Sequence, residues 1–124
     1  MGRENFTLLV IKAVDSLPDE FQARLENIDV VVEDQPTSGQ LAEVGLKRDR
    51  TLLGLYQGVP LTNRSRHYGL VVPDKITIFQ KPIEAQCRYE AEIISEIQRV
   101  VRHEIAHHFG ISDARLRQLE NGEG

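Results

Sequence analysis

The chain has 124 residues, room for one compact domain, and its 40% hydrophobic and 27% charged content is that of a soluble globular protein, not a disordered tail. A single cysteine, Cys87, excludes an internal disulfide and a multi-thiolate zinc site and fits a reducing compartment. The net charge of −4 argues against a nucleic-acid binder driven by counterion release, no stretch approaches the roughly 20 apolar residues of a membrane span, and no secretion signal opens the chain, so a cytoplasmic protein without membrane partners is expected.

No repeat, low-complexity tract or linker divides the chain. Over residues 5–17 the apolar positions Phe6, Leu9, Val10, Ala13, Val14 and Leu17 recur every three or four residues, which predicts an amphipathic helix ending before Pro18. Pro18 can open a second short helix over 19–25, and the β-branched run 28–32 predicts a strand. Residues 33–49, with Pro36, Ser38 and Gly39, read mainly as loop. A strand broken by Gly54 is expected over 52–56, a turn over 58–60, and an exposed polar segment over 63–69. Pro73-Asp74 introduces a strand over 76–80 that Lys81-Pro82 ends, and the 3.6 period then predicts one long helix over 84–108. Gly110 stops it, and Ser112 is a candidate N-cap for a last helix through Glu120. Strands without alternating crossover helices indicate an α+β fold with a small mixed or antiparallel sheet of about three strands packed with helices.

Chemistry concentrates in His103-Glu104-Ile105-Ala106-His107-His108-Phe109-Gly110-Ile111-Ser112-Asp113. Two histidines four apart on a helix lie on one face, one turn apart, so two imidazole nitrogens can converge on one ion. Glu104 is rotated about 100° from His103 and flanks such an ion without ligating it, where a carboxylate can take a proton from metal-bound water. On a helical wheel Ile93, Ile94, Ile97, Val100, Val101 and Ile105 form the apolar stripe, with His103 and His107 at its border. Glu104 projects inside that stripe, where an unpaired carboxylate costs several kcal/mol, so it needs a partner or must stay neutral. A cation with its water is one such partner. Gly110 lets the chain turn back, bringing Asp113 within reach as a third ligand, and two imidazoles with one carboxylate leave a fourth position for water. Zinc suits such a donor set best, although iron(II) also uses it, so another divalent metal stays open.

The pattern H-E-x-x-H-x-x-G-x-x-D is similar to that of zincin metallopeptidases, specifically the metzincin-like subgroup with Asp as third ligand. Together with Leu17-Pro18, the strand from Ile28, the stretch Leu52-Leu53-Gly54-Leu55-Tyr56-Gln57-Gly58 and Pro73-Asp74-Lys75-Ile76, it makes the chain from about Phe6 to Leu116 resemble the minimal zincin-like metallopeptidase family. The resemblance implies zinc held by His103, His107 and Asp113, Glu104 as general base, a long C-terminal active-site helix, a peptide or protein substrate and a cleft bordered by a sheet edge. Larger metzincins carry a methionine turn beneath the metal, whereas the only methionine here is Met1.

Several residues carry a second reading. Asp113, just after Ser112, is also favoured by the dipole at a helix start without any metal. His108, at the centre of the stripe, reads as a packed, hydrogen-bonded core residue and not as a ligand. The strand over 76–80 is either an edge that pairs with an extended substrate or an interior strand. Lys47, Arg48, Arg50, Arg64 and Arg66 form a solvated loop or steer an acidic peptide or RNA. Three functions follow: a zinc-dependent peptidase, a non-catalytic zinc-binding interaction module, or a metal-dependent hydrolase acting on RNA.

Overall fold

A computed structural model describes residues 1–45, 52–58 and 73–121. Phe6, Leu9, Val10, Ala13 and Leu17 are all buried, so the apolar stripe read from the sequence is the face on which the first helix packs. The described residues form, in order, α1 (Arg3–Asp15), α2 (Asp19–Leu25), β1 (Ile28–Glu33), α3 (Ser38–Glu43), β2 (Gly54–Gln57), β3 (Asp74–Phe79), α4 (Gln80–Gln86), α5 (Glu90–Phe109) and α6 (Asp113–Glu120). Among the described residues no helix is long and apolar enough to cross a membrane.

The three strands form one mixed sheet in the order β1-β3-β2. β1 runs parallel to β3, with Ile28 opposite Asp74 and Glu33 opposite Phe79, and β2 runs antiparallel to it, with Gly54 opposite Ile78 and Gln57 opposite Lys75. The α+β expectation therefore holds, with the sheet mixed. β3 is the central strand, which removes the edge-strand reading of 76–80. Ile76, Thr77, Ile78 and Phe79 are buried in succession, as a strand covered on both faces must be. Ile76 and Ile78 join Phe6, Ile97, Val101 and Ile105 in the core, which places α1 and α5 on one face of the sheet.

Two expectations about the elements are corrected. The segment 33–49 contains α3, whose Thr37 side chain accepts from the Gln40 amide while the Gln40 side chain accepts from the Thr37 amide. This helix buries none of its residues, so no apolar period announced it. The expected helix over 84–108 is two helices. Gln80–Gln86 forms a short one whose first turn accommodates Pro82, because early helical positions have no intrahelical acceptor for an N–H. Cys87 is extended, at φ −124° and ψ 146°, and α5 begins only at Glu90. The basic residues Lys47, Arg48, Arg50, Arg64 and Arg66, the segment 63–69 and the turn beyond Gly58 lie outside the described residues.

Candidate metal centre

α5 carries His103, Glu104 and His107 on its last two turns. Ile93, Ile97, Val100, Val101 and Ile105 bury its apolar side, and Ile94 is partly buried. That burial fixes the helix's rotation, leaving His103 half-buried and His107 exposed at the border, as their azimuths require. The two rings stand edge to face, with centroids 6.4 Å apart and planes at 88°. Two imidazoles sharing a tetrahedral ion at bonds of about 2.0–2.1 Å bring their centroids to roughly 5 Å, so the pair is adjacent but spread.

Glu104 is held by the sheet. Leu53 accepts from the Phe79 amide through its carbonyl, so alternate backbone groups of the neighbouring chain face β3, while those of Gly54 and Tyr56 face outward from it. α5 packs on the sheet face over β2, close enough for a side chain to reach those outward groups. A Cβ on Gly54 would collide with Val100 Cγ1 and lie 3.3 Å from the Thr77 carbonyl oxygen, so only glycine permits the approach. One helical turn later Glu104 Oε1 accepts from the Tyr56 amide at 2.9 Å. After another turn His108 stacks on the Tyr56 ring, with centroids 3.8 Å apart at 15°. Burial pushes the Glu104 carboxyl above the usual carboxylate range, and the Tyr56 amide and nearby His107 pull it partly back. The partner that the buried-stripe argument demanded is thus a backbone N–H.

His108 is not the core residue its azimuth predicts. It is exposed, with one face of its ring stacked on Tyr56. Phe109 is 41% exposed, edges Tyr56 and His108, and lies under Arg24 at 4.7 Å.

Beyond the helix the chain turns as expected. Gly110 adopts φ 68° and ψ 30°, and the Ile111 amide donates back to the Ala106 carbonyl at 2.9 Å. Ser112 Oγ accepts from the Arg115 amide at 3.1 Å, capping α6. Asp113 is the exposed first residue of that helix. Among the described residues, no three His, Cys, Asp or Glu side chains gather closely enough to hold a metal ion. The donor chemistry of His103 and His107 fits zinc, but Asp113 does not close a three-donor set with them here.

Tyr56 and Asp74 stand within the stretches that carry the resemblance, but the sequence reading assigned neither a role in the site. The Tyr56 hydroxyl donates to Asp74 Oδ2 at 2.6 Å, tying the edge strand to the start of β3. The available signal was Gly54, which marks where another element comes close and gives Tyr56, two residues on, the same outward orientation.

A family model described as zincin-like metallopeptidase matches residues 25–123, a span running from the end of α2 past both histidines and α6. No curated protein matches the chain. Among solved structures, a conserved hypothetical protein from Thermo thermophilus is similar in fold, with a TM-score of 0.54 at 20% identity over 88% of this chain and 94% of that one. With most of its length matched by the family model, the chain belongs to the zincin-like metallopeptidase family.

Proposed function

We propose that the protein is a zinc-dependent peptidase in which His103, His107 and Asp113 hold the ion and Glu104 is the general base. The observation that carries this reading is the half-buried Glu104 carboxylate, fixed to the outward edge of β2 on the helix face next to two adjacent imidazoles. Zinc, when bound, supplies a Lewis acid that polarises the scissile carbonyl and makes water a nucleophile near neutral pH. Glu104 does the proton work: Oε1 is engaged by the Tyr56 amide, which leaves Oε2 to take a proton and return it to the leaving amine. Its raised pKa suits a group that must both accept and release a proton. The left-handed Gly110, three residues beyond His107, ends the helix before Asp113 and so supports Asp113 as third ligand.

Glu104→Gln tests the assignment, because glutamine keeps an acceptor for the Tyr56 amide but cannot take the proton. Zinc content stays at the wild-type level while peptide hydrolysis falls by about 10²–10⁴-fold. An unchanged rate in zinc-loaded protein refutes the role.

The rival reading is a zinc-binding interaction module without catalysis. Chelation separates the two readings. In the peptidase reading the metal-free chain stays folded and loses only turnover, whereas a structural zinc leaves an unfolded chain behind when it is removed.

A further inference from the structure

We infer that Tyr56 is a positioning residue for Glu104, and that His108 acts through Tyr56 by stacking on its ring. β2 is four residues long, and the Tyr56 amide lies on the side away from β3. Among the described residues, Tyr56 is restrained from three directions. Its hydroxyl donates to Asp74 Oδ2 on β3 at 2.6 Å, its ring lies flat on His108 at 3.8 Å, and its amide donates to Glu104 Oε1 at 2.9 Å. Two of these contacts come from α5 itself, one turn apart at positions 104 and 108, so the stack and the hydrogen bond clamp strand and helix at a fixed separation. A glutamate side chain has three rotatable bonds, and a charge-assisted hydrogen bond from a fixed amide selects one orientation among them. Tyr56 thereby sets where Oε2 points. This accounts for an exposed imidazole lying flat on an aromatic ring: its task is mechanical, and neither ligation nor proton transfer is needed from it.

The kinetic consequence rests on the peptidase reading, whereas the structural one does not. Amide exchange at residue 56, followed by NMR in full-length protein, reads the clamp directly, and Leu55, whose amide faces β3, is the internal control. Four variants are compared with wild type: Glu104→Ala, His108→Ala, His108→Phe and Tyr56→Phe. Removing the acceptor in Glu104→Ala speeds exchange at residue 56 by about tenfold, as expected for a lost charge-assisted hydrogen bond, with Leu55 unchanged. His108→Ala has the same effect, and His108→Phe, which keeps a flat ring on Tyr56, restores the wild-type rate. Tyr56→Phe, which keeps the stack and loses the Asp74 bond, falls between. In zinc-loaded protein His108→Ala lowers kcat about tenfold with KM within about twofold, and His108→Phe recovers it. Wild-type exchange at residue 56 in either His108→Ala or Glu104→Ala overturns the proposal, as does a rise at Leu55 in step with residue 56, which means that the strand as a whole has loosened. Exchange that responds as described in a protein cutting no peptide leaves the clamp standing and removes the peptidase reading. Turnover that ignores His108→Ala while exchange at residue 56 rises overturns the positioning role and leaves the peptidase reading standing.

Discussion

Glu104 shows what can and cannot be read one residue at a time. Helical periodicity alone put a carboxylate on the apolar side of α5, and the cost of desolvating it required a partner. Naming that partner needed the sheet, because a backbone amide has no signature of its own. His108 was misread for the same reason: its azimuth points to the apolar side, but only the sheet shows that it meets the Tyr56 ring there and stays exposed. Burial makes the Glu104 carboxyl easier to protonate folded than unfolded, so it subtracts stability above its unfolded pKa, and that loss vanishes as pH falls below it. Metal-free Glu104→Gln protein should therefore melt above wild type at about pH 7, with the gap closing toward about pH 4, near the unfolded value. Paired melting curves across that range check the sign, and a variant that melts lower at every pH contradicts it.

At the level of elements, periodicity and punctuation served well where a helix buries a face. α1, α2, the stripe on α5, the Gly110 stop and the Ser112 cap were all legible. α3 was not, since its only sequence mark is the Thr37–Gln40 capping box on a surface helix. The break between α4 and α5 was hidden because Ile83 and Ile93 both face the core, so the apolar period runs on across an extended Cys87. The contact between β2 and α5 makes a sharp prediction. Gly54→Ala forces a methyl group against Val100 and should cost about 1–3 kcal/mol. Val100→Ala in the same chain opens that space, so the double variant loses less than the two single losses added together. Urea titrations of the four proteins measure it, and strict additivity would show that the crowding lies elsewhere.

For the molecule as a whole, strand content was readable but strand order was not. A parallel β1–β3 pair with β2 added antiparallel on the far side comes from contacts between segments some 45 residues apart, and local patterns do not report such pairings. The four consecutive buried residues of β3 mark the central strand only once the structure is known. That sheet order sets β2 against α5 and so brings Tyr56 to Glu104, while the proposed ligand set rests on the motif and on the turn after it. Ligand binding stabilises the state it selects, by about 2.7 kcal/mol when free ligand exceeds Kd a hundredfold. Zinc should accordingly raise the melting temperature of wild type by roughly 5–15 °C and leave His103→Ala unmoved. An equal rise in both proteins means that zinc binds somewhere other than the helix.

Whether one divalent ion sits on the His103–His107 face is decided by elemental analysis of gently purified wild type beside folded His107→Ala. About one zinc per wild-type chain and almost none in the variant is the expected result. Equal metal content in the two proteins would contradict that placement.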